Sequence, residues 1–253
     1  MKAVWKGYLG FGLVNIPVAL YSAVDDDQIN FHLFHKKDNG RIKYNRVCSE
    51  CGEEISWADI IKGVEIGKNN FYMIAKEEIN EFRPKAEDLI EIQEFVDKDQ
   101  ISHIYFTRHY YIGPTENNER PYFLFKETLE DSNKAAIATF VLREKEYTCI
   151  VINYKEGLLL SILNYSSQIR DIKNVPNLED KPDLKEKEKL LARELIEKLT
   201  TDKINLEKYR DTFTESLKEM IMKKAEGELV SAKAKKISET ENLIEALEAS
   251  INK

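Results

Sequence analysis

The chain has 253 residues, of which 42% are hydrophobic and 33% charged, and its formal net charge is -7. That apolar supply is enough for a core and excludes global disorder, while no run approaches the ~20 apolar residues needed to span a bilayer. Three cysteines (Cys48, Cys51 and Cys149) are too few, and odd in number, for a disulfide framework, so reduced thiols are expected.

The opening, MKAVWKGYLGFGLVNIPVAL, is interrupted by Gly7, Gly10, Gly12 and Pro17 and has no small-x-small cleavage pattern. It does not read as a signal sequence, and a cytoplasmic location is expected. Leu13 to Tyr21 is a predicted strand in which Pro17 marks an edge or a bulge. Over Ile29 to His35, alternation puts Ile29, Phe31, Leu33 and His35 on one face and Asn30, His32 and Phe34 on the other. Asp38-Asn39-Gly40 is a hairpin turn signal, because Asn and Gly tolerate positive φ, and Arg41 to Val47 is the expected return strand. Further strands are expected at 71–74, 90–96 and 104–112, followed by a meander at 136–143, 147–154 and 158–165. Short helices are expected at 76–82 and 122–130. Strands at this spacing, with little helix between them, favour an antiparallel barrel or sandwich.

After Pro182 the apolar period changes to 3.6. Leu184, Leu191, Leu195 and Leu199 share one face of a helix that Asp183 could cap. A second helix, from about Leu206 to Ala225, aligns Leu206, Tyr209, Phe213, Leu217 and Ile221 and stops at Gly227. These stripes read as packing within the chain. A third helix, 240–251, follows a lysine-rich linker (Lys233, Lys235, Lys236) and a Ser238-x-x-Glu241 capping box. Its Leu243, Leu247 and Ile251 are candidate contacts for a partner protein. The neighbouring Glu241, Glu245 and Glu248 would repel DNA.

Residues 29–52 raise the functional question. Lys36, Lys37, Arg41, Lys43 and Arg46 crowd one turn with only Asp38 against them, whereas acids crowd residues 77–99. Phosphates respond to the field within about a Debye length, ~8–10 Å, so a polarised acidic chain can still bind nucleic acid. Cys48-x-x-Cys51 is half of a zinc site. His32 and His35 could supply the rest, although alternation turns them to opposite faces; a tetrathiolate shared by two chains is another route. The reading without metal is favoured, with no cofactor. On the residues alone, the stretch remains a metal site, a nucleic-acid contact or a solvated hairpin.

Trp5-Lys6-Gly7, Phe11-Gly12-Leu13-Val14-Asn15-Ile16-Pro17-Val18 and Leu20-Tyr21-Ser22-Ala23 together resemble the opening of the prokaryotic Ku family. The resemblance continues through Lys37-Asp38-Asn39-Gly40-Arg41-Ile42, Arg46-Val47-Cys48, Cys51-Gly52-Glu53, Asp59-Ile60, Lys62-Gly63 and Tyr209-Arg210-Asp211. It implies a β-rich α+β fold: a Ku-type β-barrel core with a DNA-encircling bridge over 1–175, a helical arm over 176–227, and a short tail or helix over 228–253 as the ligase-contact region. It further implies a homodimer whose arms close a ring around double-stranded DNA ends. That ring would recruit and stimulate an ATP-dependent ligase, ligase D, in non-homologous end joining at the nucleoid, with no membrane partner.

A ring that accepts any end must touch phosphate and sugar rather than base edges. Lys36, Lys37, Arg41, Lys43 and Arg46 are then the first DNA-contact candidates, and Arg108, Lys126, Lys134 and Arg143 secondary ones. No catalytic set stands out: His103 and His109 lack an evident nucleophile partner, and Cys149 falls within a predicted strand. The chain is therefore not expected to be an enzyme. The alternative to DNA binding is a protein-interaction adaptor with a helical dimerisation arm.

Overall fold

Strands that alternate apolar and polar side chains must cover their apolar face, either by closing into a barrel or by stacking a second layer. The computed structural model describes residues 1–25, 28–82, 84, 88–179, 182–226 and 243–251. In chain order its elements are β1 (Trp5–Phe11), β2 (Val14–Ser22), β3 (Lys62–Gly67), β4 (Asn70–Ile74), α1 (Lys76–Glu81), β5 (Leu89–Asp97) and β6 (Phe106–Pro114). They continue with α2 (Glu119–Asp131), β7 (Lys134–Leu142), β8 (Lys145–Tyr154), β9 (Gly157–Leu163), α3 (Glu186–Leu199), α4 (Thr212–Ala225) and α5 (Leu243–Ile251). Short 3-10 turns lie between several of them.

Seven strands close into a barrel in the order β1-β2-β6-β9-β8-β7-β5. Neighbours are antiparallel except at the closure, where β5 runs parallel to β1 with Leu9 opposite Ile90. β1 is the strand that the glycines disguise. A Cβ on Gly7 would sit 2.3 Å from the carbonyl oxygen of Asp88 and 2.5 Å from the Trp5 ring. Glycine is therefore what lets the two backbones approach, and Tyr8 donates its N–H to the same Asp88 carbonyl at 2.7 Å. Pro17 sits in a strand paired on both sides, but the ladder to β6 begins at Val18 opposite Pro114, so Pro17 lies just past its end. The expected strands 90–96, 104–112, 136–143, 147–154 and 158–165 correspond to β5 through β9 with small shifts at their ends.

The barrel interior is filled by Leu9, Ile16, Val18, Leu20, Ile90, Ile112, Phe140, Val151, Leu158 and Leu160, among others, all buried. Ala136 and Ala138 on β7 and Cys149 on β8 are fully buried there too, and desolvation pushes the Cys149 thiol well above its ordinary value. α2 covers part of the wall with Tyr122, Phe125 and Leu129. These three lie one turn apart along one helix face.

Residues 32–82 leave this core. The turn is where Asp38-Asn39-Gly40 put it: His35 N–H bonds to the Gly40 carbonyl at 2.8 Å, Asn39 has φ +56°, and the Asp38 carboxylate accepts the Gly40 N–H at 2.9 Å. The strands expected at 29–35 and 41–47 do not form. Only one isolated pair, Phe34 with Arg41, marks the ladder between them, while Val47 with Glu54 belongs to the next turn. No residue of 32–47 is buried, and an unsupported two-stranded ribbon is marginal in water. β4 fulfils the strand expected at 71–74, with β3 as its partner. The helices expected at 76–82 and 122–130 are α1 and α2.

The second compact unit comprises residues 28–31 and the described residues from 171 onward. Asp183 does not cap α3; Lys185 holds that position, its N–H bonded to the Glu188 carboxylate at 2.9 Å. The helix expected from Leu206 breaks into a 3-10 turn at Leu206–Lys208 and α4. The break falls at Asp211, whose carboxylate accepts the N–H groups of Phe213 and Thr214 at 3.1 and 3.0 Å and thereby begins a new helix. The packing expected along both stripes is only partial. Leu191, Leu195 and Leu217 are half-buried, while Leu184, Leu199, Tyr209 and Phe213 are exposed. α5 packs on α3, with Lys187 paired to Glu248 at 3.1 Å and Lys198 donating to the Ile251 carbonyl at 2.6 Å. Gly227, the lysine-rich linker and the Ser238–Glu241 capping box lie outside the described residues.

Candidate nucleic-acid interface

The arm of residues 32–82 has an unusual surface. None of its residues is buried, yet Leu33, Phe34, Tyr44, Trp57, Val64, Phe71, Tyr72 and Met73 all expose large apolar side chains. So many large apolar side chains exposed on a segment with no core call for cover. Apolar residues on both faces of the β3–β4 ribbon, where Val64 opposes Tyr72 and Glu65 opposes Phe71, leave neither face as the plain solvent side.

The basic residues of the first turn stand out against this background. Lys36, Lys37, Arg41 and Lys43 are exposed, and no ion pair joins any of them to an acid among the described residues. Their charge is therefore available to an external anion. The one local acid, Asp38, is occupied by the Gly40 N–H and by His35 Nδ1 at 3.0 Å; these hold its carboxyl below its ordinary value. Arg46 is placed differently. Its guanidinium stacks 4.4 Å above the centroid of the Trp57 ring, and its Nε donates to the Ile55 carbonyl at 3.2 Å. It keeps its charge but spends its geometry on bracing the second turn.

The secondary candidates lie on the barrel. Lys126 pairs with Glu130 at 2.9 Å with its side chain largely buried, and Lys134 pairs with Asp97 at 2.6 Å. Arg108 is exposed on β6, and Arg143 sits at φ +53° in the turn between β7 and β8. The structure thus gathers Lys36, Lys37, Arg41 and Lys43 on one short hairpin and leaves the other candidates dispersed.

Cys48 and Cys51 shape the second turn. Cys48 N–H bonds to the Glu53 carbonyl at 2.9 Å and Gly52 N–H to the Cys48 carbonyl at 3.0 Å, with Gly52 at φ +75°. The backbone N–H groups of Cys51 and Glu50, together with the Cys51 side chain, hold the Cys48 thiol below its ordinary value. The Cys51 thiol donates to the Glu53 carboxylate at 3.8 Å. The two histidines do not join them: His35 is taken by Asp38, and among the described residues no group of three or more histidine, cysteine or acidic side chains could hold a metal ion.

His109 does have a hydroxyl partner that its sequence surroundings do not reveal, with Nδ1 2.8 Å from Ser161 Oγ. Ser161 is buried in the barrel wall, so this pair braces β6 against β9. Leu247 and Ile251 are half-buried on α5, and the side chain of Leu243 lies outside what is described. Among the described residues no helix is long and apolar enough to cross a membrane.

Sequence reasoning missed the apolar residues of the arm as functional candidates. The available signal was the segment 29–35, which carries Phe or Leu on both faces of its alternation and so calls for cover on both sides.

A family model described as the Ku70/Ku80 beta-barrel domain matches residues 10–194. A protein of Archaeoglobus fulgidus named "Non-homologous end joining protein Ku" is 36% identical over 99% of this chain and 98% of its own length. Proteins of the same name from Bacillus subtilis and Mycobacterium tuberculosis are each 34% identical, over 100% and 90% of this chain and 82% and 84% of their own lengths. With its barrel matched by the family model and the Archaeoglobus protein aligned nearly from end to end, the chain belongs to the Ku β-barrel family.

Proposed function

We propose that the protein binds double-stranded DNA ends without reading sequence, as a non-catalytic ring-shaped homodimer, and recruits an ATP-dependent DNA ligase of the ligase D type in non-homologous end joining. The arm carries this reading. It combines uncovered apolar side chains, which suit a second copy, with unpaired Lys36, Lys37, Arg41 and Lys43, which suit phosphate. Names shared by relatives of nearly full-length similarity support the repair role.

The chemistry follows from the charge. A duplex end is a dense array of phosphates with condensed counterions, and each phosphate neutralised by Lys or Arg releases some of them. Lysines and arginines on an exposed hairpin offer contacts that are indifferent to base sequence. Glu50, Glu53 and Glu54 place acids in the second turn, whereas the first has Asp38 alone. In this reading the barrel serves as the rigid base, the arm closes the ring with its copy, and the helices beyond residue 171 carry the ligase contact.

The test compares binding to linear and closed circular duplex of identical sequence. Retention on linear DNA only is the expected result. Equal retention on both would reject the ring, and retention on neither would favour an adaptor without DNA. Degradation of either would show an enzyme.

A further inference from the structure

We propose that Tyr44 and Trp57, exposed aromatics between the basic turn and the β3–β4 ribbon, form a stacking platform for the single-stranded overhang of a broken DNA end. This inference deepens the reading of the protein as a DNA-end binder and rests on it.

The aromatics of the arm fall into two groups. On the β3–β4 ribbon Tyr72 stands opposite Val64 and Phe71 opposite Glu65, so neither has a cation across from it. Before the ribbon, Phe34, Tyr44 and Trp57 each have one at hand. Phe34 pairs with Arg41, and cross-strand partners turn their side chains to the same face. Tyr44 follows Lys43 directly and precedes Arg46 by two residues. The Arg46 guanidinium lies against Trp57 itself. Lysine and arginine interleaved with aromatics suit single-stranded nucleic acid, because every base has a face to stack and every link a phosphate to neutralise. In a duplex those faces already stack on one another. Paired DNA therefore meets the cations, while an overhang meets the aromatics as well.

Trp57 is placed for that task. Arg46 covers one face of its indole at 4.4 Å from the centroid, and the side chain is still 74% exposed, so the other face is open. The support beneath it is fixed. Arg46 Nε donates to the Ile55 carbonyl at 3.2 Å, and the Ile55 N–H returns a bond to the Arg46 carbonyl at 2.8 Å. Trp57 itself begins a 3-10 turn, Trp57–Asp59, where Ser56 Oγ donates to the Asp59 carboxylate at 2.6 Å. A base on the open face would complete a sandwich of base, indole and guanidinium. Tyr44 is 78% exposed, and its spacing of two from Arg46 puts both on one side of an extended chain. Arg41 and Lys43, without an ion pair among the described residues, are left for the phosphates between the bases.

The experiment uses the full chain and two probes, a blunt duplex and the same duplex with a thymidine overhang of ~10 nucleotides. It measures affinity by anisotropy and mass by sedimentation for wild type, Trp57→Phe and Trp57→Ala. Tryptophan emission adds a direct reading, since the chain's other tryptophan, Trp5, packs edge-on against Phe140 in the barrel. Wild type and Trp57→Phe are expected to prefer the overhang on the order of tenfold, and Trp57→Ala to lose that preference while keeping its blunt-end affinity. The overhang is expected to quench wild-type emission more than the blunt duplex does. Equal affinity of the wild type for both probes overturns the platform and leaves the end-binding reading intact. An equal quench by the blunt duplex does the same, because it puts Trp57 on paired DNA. A monomeric Trp57→Ala shows that a second copy covers this face, and also overturns the platform. Failure of the wild type to bind either probe overturns the end-binding reading and the platform with it.

Discussion

The hydroxyl of Tyr122 accepts the backbone N–H of Leu158 at 3.0 Å while donating to the carbonyl of Ile112 at 2.6 Å. One side chain from α2 therefore closes a gap in the ladder between β6 and β9, where Ile112 stands opposite Leu158. The ring is only 2% exposed, so no water can replace it. Removing the hydroxyl would leave a buried donor and a buried acceptor without partners, which costs about 1–3 kcal/mol. Tyr122→Phe is expected to lower the urea midpoint accordingly, while the folded fraction keeps its DNA affinity.

The same residue sets an alkaline limit. Burial pushes the Tyr122 hydroxyl above its ordinary value, outweighing the Leu158 N–H, which acts in the opposite direction. The folded state therefore holds this proton more tightly than the unfolded chain. The stabilisation is fully present below the unfolded tyrosine value, about pH 10, and is lost as pH rises through the folded one. Denaturation curves above about pH 10 are expected to show a steeper loss for wild type than for Tyr122→Phe. Parallel losses would assign the alkaline limit to other groups.

Charge reversal on the first turn separates the free cations from the paired ones. Lys37→Glu with Arg41→Glu is expected to weaken duplex binding at every sequence and to reduce the log–log salt slope by ~0.9 for each phosphate no longer neutralised. The turn itself should survive, because Asp38, Asn39 and Gly40 are untouched. Lys126→Gln and Lys134→Gln remove cations already engaged by Glu130 and Asp97, so their effect on affinity is expected to stay within about twofold. A salt titration across the three variants measures the difference.

The dimer surface is tested on the β3–β4 ribbon. Val64 and Tyr72 are cross-strand partners, both exposed in the single chain. Stable interfaces bury ~1,200–2,000 Å² and depend on a few large apolar or aromatic anchors. Val64→Asp with Tyr72→Asp is expected to yield a monomer by sedimentation and to abolish retention on linear DNA, with the barrel still folded. A dimer of unchanged affinity would place the interface elsewhere.

How much of this was legible in the sequence varies with its physical cause. β5 through β9 could be read because each buries one face, and burial imposes strict alternation with turn residues between strands. β1 could not: its Gly7 looks like an interruption, and only the carbonyl of Asp88, far along the chain, shows why a side chain is forbidden there. The turn at Asn39 was legible because positive φ selects residue type locally. The length of the hairpin was not, since it depends on burial that residues 32–47 lack. Lys126 and Glu130 could be paired from their helical spacing, whereas Lys134 meets Asp97 only through the register of β5 and β7. Arg46 counted as free until Trp57, beyond the next turn, came to lie against it.

The ligase contact is tested last, on α5. Deleting residues 238–253 would also strip α3 of the helix packed against it, mixing loss of a partner with loss of fold. Leu247→Glu with Ile251→Glu keeps the chain length and the Lys187–Glu248 pair as a reference contact. Both side chains are half-buried, so each retains some surface for a partner. The double variant is expected to bind DNA ends as wild type does, because the added carboxylates lie outside the basic hairpin, and to stimulate end joining by the ligase severalfold less. Circular dichroism should show its helix content within a few residues of wild type. Undiminished stimulation would move the ligase contact off this face of α5, and loss of end binding would show that the helices beyond residue 171 also serve the ring.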